Sequence, residues 1–226
     1  MYLSEKNRQI ADMFSSIAPT YDLLNHLLSF NIDKIWRKEA ISKLEGSLFL
    51  DVATGTGDVA IQIRRQIKDS EVYGVDLSFE MLQIAKKKTK DVKFVCAPAE
   101  KLPFKDDMFD GITIAFGFRN VVDRVNALFE FKRVLKSGGK LVILEFNRPT
   151  NKLFGAMYEF YSFTFMPFLG RIISGHKDAY RYLPSSIRRF PDVDFLAGMM
   201  KRVGFKDVYY FPLTFGVSFI HVGVKP

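Results

Sequence analysis

The stretch FLDVATGTGDVA, residues 49–60, holds the residue types whose spacing points most directly to chemistry. Gly55-Thr56-Gly57-Asp58-Val59-Ala60 fits G-x-G-x-x-G/A, and Asp76 follows 19 residues beyond Gly57. A glycine loop between a strand and a helix, with a carboxylate at the end of the next strand, marks a nucleoside site. Two occupants satisfy it. In a dinucleotide fold the loop cradles pyrophosphate and Asp76 takes the ribose hydroxyls. In an S-adenosylmethionine site Asp76 does the same ribose work, and there is no phosphate. Asp51 separates the two. It sits directly before the loop, where a carboxylate repels pyrophosphate and suits an ammonium and a sulfonium. Gly55 and Gly57 allow close backbone approach to the methionyl part. Ala53, Thr54 and Thr56 complete the loop, with Ala53 standing where a first glycine is often found. Ala97-Pro98-Ala99-Glu100 is expected beside the adenine, at the carboxyl edge of the sheet. Leu77 and Met81 are expected to give the ring apolar contacts.

These residues need a scaffold, and the hydrophobic pattern supplies one. SLFLDV, EVYGVD, VKFVC, FDGITIAFG and KLVILEF read as strands. DVAIQIRRQI, FEMLQIAKKK and VNALFEFKRVL read as helices between them, and a Ser137-Gly138-Gly139 turn precedes the fifth strand. Strands alternating with helices of about a dozen residues imply a mostly parallel sheet covered on both faces, a Rossmann-like α/β fold. Before it, Glu5–Ile17, Tyr21–Leu28 and Asp33–Leu44 read as helices, with a break at Pro19. After it come an aromatic-rich helical segment, the helix VDFLAGMMKRVGF ended by Gly204, and KDVYYF with GVSFIHVGV. The last two are expected to form an antiparallel hairpin at the sheet edge. The division is therefore a helical cap over 1–45 and a main domain over 46–226, with a helical, aromatic-rich insertion at about 151–190.

Composition excludes several classes. The chain has 226 residues, 48% hydrophobic and 26% charged, which suits a globular chain and not a disordered one. One cysteine, Cys96, cannot form an intrachain disulfide, and this favours a reducing, cytoplasmic setting. Three separated histidines and that cysteine have no zinc-type spacing, so no metal is expected. The N-terminal residues are charged throughout and do not read as a signal peptide. The longest stretch free of Lys, Arg, Asp and Glu, Val208 to Val224, is 17 residues with Pro212, Gly216 and Gly223 inside it. A spanning helix needs about 20 apolar residues, so this stretch reads as two strands. The net charge is +8, and residues 148–226 hold 11 Lys/Arg against 5 Asp/Glu. Such an excess suits a solvated basic surface, an anionic bilayer or a nucleic acid.

Four further blocks add a resemblance that runs from Phe14 to Val224. Tyr21-Asp22-Leu23-Leu24-Asn25, with Leu28-Ser29 and Trp36-Arg37, resembles the N-terminal signature of the ubiquinone/menaquinone biosynthesis C-methyltransferases. Ala115-Phe116-Gly117-Phe118-Arg119-Asn120-Val121 resembles that family's segment after the fourth strand. Arg133-Val134-Leu135-Lys136-Ser137-Gly138-Gly139, with Leu144-Glu145, looks like its second signature, and Tyr180 to Ile187 with Phe190-Pro191 is similar to its C-terminal block. The sequence departs from the family at Pro98, where a polar residue is usual beside the adenine, and at Ala115, where Ser is common.

The resemblance implies the class I S-adenosylmethionine-dependent methyltransferase fold. It also implies methyl transfer from S-adenosylmethionine to a ring carbon of a reduced prenylated quinone, either demethylmenaquinol or a ubiquinol precursor. Cofactor contacts are then expected from the glycine-loop residues, Asp76, Leu77, Met81, Pro98, Ala99 and Ala115. A hydroquinol carbon is a weak nucleophile until a phenolic proton leaves, so a nearby cation or base is expected. Arg119 is the first catalytic candidate, followed by Tyr21 and Asp22 with Asn25, and then by His176 and Asp178. Seven aromatics in the 21 residues 151–171, among them Phe154, Tyr158, Phe163 and Phe165, suit a groove for a prenyl tail. Lys152, Arg171, Lys177 and Arg181 suit peripheral contact with anionic lipid. An NAD-dependent oxidoreductase, an RNA methyltransferase and a noncatalytic cofactor-binding module are the competing classes. No N-P-P-[YF] motif or RNA-binding motif is present to favour the second.

Overall fold

Seven apolar runs pair into one sheet in the computed structural model, which describes residues 4–147, 149, 155, 182 and 185–226. The strands are β1 Leu48–Val52, β2 Glu71–Asp76, β3 Val92–Cys96, β4 Phe109–Ala115, β5 Leu135–Phe146, β6 Lys206–Leu213 and β7 Ser218–Val224, in the order β3-β2-β1-β4-β5-β7-β6. β1 to β5 pair in parallel, and β7 runs antiparallel to both of its neighbours. The expected closing hairpin is present, but its second strand is the inner one. The side chains of β7 are buried along almost its whole length, whereas those of β6 are half exposed. A strand apolar on both faces belongs inside a sheet, and Pro212, which lacks an N–H, is tolerated on an edge strand.

The Ser137-Gly138-Gly139 segment differs from the turn expected of it. Leu135 to Phe146 is one continuous strand, with a register irregularity opposite Phe109 and Gly111. Gly138 takes a left-handed φ of +77° there. Lys225 clasps the irregularity, accepting from the Gly138 N–H and donating to the Gly139 carbonyl. The glycines therefore make a bulge inside the strand.

Helices α1 Glu5–Ile17, α2 Tyr21–Leu28 and α3 Ile32–Ile41 precede the sheet, with a short 3-10 turn at Ala18–Thr20 around Pro19. Then come α4 Asp58–Gln66, α5 Phe79–Lys88, α6 Arg124–Val134 and α7 Val193–Val203. Side chains cap four of the seven described helices at their N-termini: Ser4, Ser78, Asp123 and Asp192 each accept a first-turn N–H. Gly204 ends α7 in the left-handed conformation.

The period-two alternation of the strands divides the core in two. Leu50, Ile112 and Ile114 pack with Phe131 and Met200 on one face, and Phe49, Val142 and Ile220 pack with Ile63 on the other. α3 belongs to this second layer, since Trp36, Ala40 and Ile41 are buried in it. α1 and α2 lie differently. Ile17 and Ala18 pack on Met81 of α5, beside the ligand edge of the sheet. No described helix is long and apolar enough to cross a membrane. The aromatic run 151–171, with His176, Asp178 and the basic residues around them, lies outside the described residues.

Candidate active site

The polypeptide leaves β1 at Val52 and turns sharply, with left-handed φ at Ala53 (+51°), Gly55 (+56°) and Gly57 (+85°). These three positions have different physical reasons. A Cβ at Gly57 would come within 3.0 Å of Ala85 and 3.1 Å of Phe94. Gly57 is therefore required by the packing of α4 against α5 and β3, and it lines none of the cavities described below. Gly55 has open space in front of it, its nearest neighbour being Tyr21 at 3.8 Å. Ala53 holds a conformation that L residues seldom adopt. Its methyl is accommodated because Gly117 faces it, where any Cβ would sit 2.5 Å away.

Asp51 and Asp76 stand at the carboxyl ends of adjacent strands, and each is held by short bonds. Asp51 is buried, with Oδ2 accepting from Thr54 Oγ1 at 2.6 Å and Oδ1 from Thr113 Oγ1 at 2.8 Å. Burial pushes its pKa up to about 6, against the pull of the two threonines and of Arg37. Asp76 Oδ2 accepts from the Gly55 N–H at 2.7 Å and Oδ1 from the Ser78 N–H at 2.8 Å. Burial raises its pKa as well, and the backbone donors oppose that. Asp76 thus fastens the loop to β2 and still presents lone pairs to the cavity it lines.

That main cavity has walls of Leu77, Met81, Ala97, Pro98 and Ala99 on one side and of Ala115, Phe116 and Gly117 on another. Asn7, Ile10, Phe14 and Tyr21 close it from α1 and α2. Among the described residues its charged lining is Asp76 and Glu100, with no Lys or Arg. A carboxylate for a ribose diol, apolar walls for an adenine and an acidic field for a sulfonium suit S-adenosylmethionine. The same lining would repel a pyrophosphate, which disfavours a dinucleotide. Pro98 and Ala115 bring no polar side-chain atom to this wall.

Beneath the loop a smaller cavity shares Tyr21, Ala53, Gly55, Ala115 and Phe116 with the main one. Asp51, Thr54, Thr56, Asp58 and Arg37 also line it. Tyr21 stands at the junction. Burial raises the pKa of its hydroxyl, although Arg119, Arg37 and a hydrogen bond with Asn25 pull it down. Tyr21 is therefore a neutral donor near neutral pH.

Asp22 faces elsewhere. It accepts from Thr56 Oγ1 and pairs with Lys88 Nζ at 2.6 Å, and it lines none of these cavities. Lys88 also reaches Asp58 at 2.8 Å, and Asp58 pairs with Arg37 at 2.6 Å. Burial pushes the Asp58 pKa up, but Arg37 and Lys88 outweigh it and hold the carboxyl below its ordinary value. His26 and Arg37 both meet Asp33. The network ties α2 and α3 to the glycine loop and to the ends of α4 and α5. Asp22, expected as a catalytic candidate, is thus engaged in this network and is not brought to the cavities.

Arg119 follows β4 and is buried. Its Nη1 pairs with Glu145 Oε1 at 2.7 Å and donates to the Phe116 carbonyl, and its backbone N–H donates to Glu145 Oε2 at 3.1 Å. Its buried Nε–H has no acceptor among the described residues. Arg119 lines a third cavity of about 470 Å³, between α1, the segment after β4 and residues 182–189. Lys6, Arg124 and Arg189 share that lining, and among the described residues no carboxylate does. Ile10, Asn120 and Val121 are common to this cationic cavity and the acidic one, so the two adjoin.

The sequence expectation placed Glu100 beside the adenine but did not include Asn7, Ile10 and Phe14 of α1, Arg37 or Asn120 as lining residues. The α1 set had a legible signal. Positions 7, 10 and 14 fall on one helical stripe, apolar at Ile10 and Phe14, that the chain's main core does not cover.

A model of the ubiE/COQ5 methyltransferase family matches residues 2–225. The chain is 49% identical to the ubiquinone/menaquinone biosynthesis C-methyltransferase UbiE of Geobacter sp. (strain M21), over 99% of each chain. It is also 49% identical to the demethylmenaquinone methyltransferase of Thermus thermophilus, over 95% of this chain and all of that one. Among solved structures it is similar to an S-adenosylmethionine-dependent methyltransferase from Thermotoga maritima, with TM-score 0.71 and 21% identity, over 96% of this chain and all of that one. It is likewise similar to a Haemonchus contortus phosphoethanolamine N-methyltransferase in complex with S-adenosylhomocysteine, with TM-score 0.59 and 19% identity, over 81% of this chain and 49% of that one.

Proposed function

The chain belongs to the ubiE/COQ5 methyltransferase family, and we propose from that membership and its cavities that it methylates a ring carbon of a reduced, prenylated quinone, demethylmenaquinol foremost, with S-adenosylmethionine as methyl donor. One observation carries the reading. An acidic nucleoside cavity adjoins a cavity whose charges are all cationic among the described residues, and Arg119 is one of the cations of the second. The donor, when bound, supplies a methyl group made electrophilic by a sulfonium. This chain's residues do the rest.

Asp76 takes the ribose hydroxyls, and Leu77, Met81, Pro98 and Ala99 hold the adenine between apolar surfaces. On the acceptor side, a phenol with a pKa near 10 must give up its proton to push density into the ring. A guanidinium beside its oxygen favours the phenolate, and Lys6, Arg124 and Arg189 add to the field. Glu145 fixes the Arg119 guanidinium at the edge of this cavity, where its charge acts on the acceptor or on a water that takes the proton. Tyr21, at the junction of the cavities, is placed to donate to whichever group enters there. α1 and α2 form the cap over the donor, held by Asp22, Lys88 and Asp58, and exclude water. Collinear alignment of carbon, methyl and sulfur is worth on the order of 7–11 kcal/mol in favourable cases.

A prenylated acceptor is lipid, so the protein is expected to work in the cytoplasm at the surface of an anionic membrane, with the basic C-terminal third toward it. The test is a panel of reduced, demethylated naphthoquinols and benzoquinols of increasing tail length, with isotopically labelled donor. Label in the naphthoquinol supports the reading, and label in the benzoquinol alone moves the substrate to a ubiquinol precursor. Label in RNA but in no quinol overturns it.

A further inference from the structure

The cationic cavity holds more positive charge than methyl transfer accounts for. Arg119 is buried, and Glu145 answers its charge at 2.7 Å. Lys6, Arg124 and Arg189 remain, and none of the three pairs with a carboxylate among the described residues. In contrast, Lys43, Lys93, Lys136, Lys140 and Lys225 each reach a carboxylate within 2.7 Å. Arg124 is half-buried and held in one orientation. Its Nε–H donates to the Phe118 carbonyl at 3.3 Å and its Nη2–H to the Arg119 carbonyl at 2.7 Å, with the Phe190 ring 5.4 Å from the guanidinium carbon. Burial pushes its pKa down, and Glu145 and Tyr182 oppose that. Arg189 spends its Nε–H on the Ser185 carbonyl at 3.2 Å, which leaves both Nη groups. Lys6 and Arg189 are exposed. The unanswered charge therefore lies on the outer side of the cavity, and Arg119 lies on the inner side.

We propose that the outer part of this cavity is a phosphate-binding site, in which Lys6, Arg124 and Arg189 hold a phosphate group carried by a lipid headgroup or by a free phosphate. Three cations around one cavity of about 470 Å³ repel one another unless an anion joins them. A phenolate at the inner end brings a single negative charge and one oxygen, so it does not answer all three. The three side chains also come from separate parts of the chain: the first turn of α1, the start of α6 and residues 185–189. A phosphate presents oxygens in several directions and suits donors that converge in this way, whereas a carboxylate presents two in one plane. Arginine forks bind phosphate oxygens in pairs, and a lysine adds a point charge. A headgroup bound there sets the outer side of the cavity against the bilayer from which a prenylated acceptor comes. The site is independent of the methyl-transfer reading, because neither donor nor acceptor takes part in it.

The experiment measures binding of the full chain, without donor or acceptor, to phosphatidylglycerol vesicles, to phosphatidylcholine vesicles and to inorganic phosphate. The wild type is compared with Lys6→Gln/Arg124→Gln/Arg189→Gln and with a charge-matched control, Lys201→Gln/Arg202→Gln/Lys206→Gln. The control residues are exposed, at the end of α7 and the start of β6. The wild type should prefer the phosphatidylglycerol vesicles, and the cavity variant should bind them about 100-fold more weakly, at about 1 kcal/mol for each cation near an anionic surface. The control should stay within about threefold of the wild type, since charges beyond a Debye length of about 8–10 Å are largely screened. Saturable binding of inorganic phosphate that only the cavity variant loses, without a vesicle preference, assigns the site to a free phosphate. S-adenosylmethionine affinity reports folding in every sample, because none of the substituted residues lines the nucleoside cavity. If Arg124→Gln unfolds the protein, Lys6→Gln/Arg189→Gln, both exposed, carries the test with an expected loss of about 30-fold on the same scale. Equal losses in the cavity variant and the control would reduce the effect to general surface charge and overturn the site. A wild type that binds neither anionic vesicles nor phosphate overturns it as well, and leaves the methyl-transfer reading standing.

Discussion

Replacing Thr113 with valine removes one hydroxyl from the interior and should shift the pH at which the donor binds. Thr113 Oγ1 donates to Asp51 Oδ1 at 2.8 Å, and both residues are buried. Valine keeps the β-branched shape that β4 packs, so the change is chiefly electrostatic. A hydrogen bond to a charged group is worth about 1.5–3 kcal/mol, and 1.36 kcal/mol corresponds to one pKa unit. The Asp51 pKa, about 6 in the native protein, should therefore rise by roughly one to two units in the variant. If the ammonium requires the Asp51 carboxylate, native affinity falls as pH drops through about 6. In the variant the same fall begins above neutrality. At neutral pH the native group is mostly ionised and the variant group is half to one-tenth so, which predicts roughly 2- to 10-fold weaker binding. At alkaline pH the two proteins should converge. Calorimetric titration of S-adenosylmethionine across the mildly acid to alkaline range reads both midpoints. An unmoved midpoint, or a loss of equal size at every pH, would show that Asp51 ionisation does not govern binding.

Three other expectations follow from the same geometry. Asp76→Ala should weaken S-adenosylmethionine binding by about 1–3 kcal/mol, and unchanged calorimetric affinity would take Asp76 out of the site. Arg119→Lys keeps a cation for Glu145 but loses the planar fork, and it should lower turnover by about 100-fold while donor affinity holds. A parallel loss of both would make the residue purely structural. His221 is buried, its Nε2–H donates to the Val193 carbonyl, and burial pulls its pKa from 6.5 down to about 4. A depressed histidine is neutral in the fold and charges first in the unfolded chain. Stability should therefore be intact above pH 6.5 and drain away as pH falls toward 4, by up to about 3 kcal/mol; His221→Gln should flatten that slope in melting curves, and an identical slope would assign the acid loss to other groups.

The sheet was legible because each strand is a short apolar run closed by turn residues, and Asp51 and Asp76 were legible because each ends such a run just before a helix. The inner position of β7 depended on a different quantity, burial on both faces against the half-polar pattern of β6, which is visible in the sequence but easily passed over for a simpler hairpin. Pairings across long stretches of chain were not legible. Glu145 claims Arg119 from 26 residues away, and Lys88 at the end of α5 binds Asp22 of α2, with α3 and α4 between them in the chain. Local spacing carries no information on such partners, so Asp22, which lines none of these cavities, and Arg37, which lines one, looked alike on α2 and α3. Gly57 shows the converse: its place in the motif suggests a ligand contact, whereas its neighbours Ala85 and Phe94 show a packing demand.

The most direct measurement is to supply the protein with S-adenosylmethionine carrying a carbon-13 methyl group and a reduced, prenylated demethylmenaquinol, and to record where the label resides in the product by carbon NMR. A single new methyl bonded to the quinol ring carbon is expected, with S-adenosylhomocysteine formed in equal amount. Label on a phenolic oxygen, or no label from a folded protein that binds the donor, would contradict it.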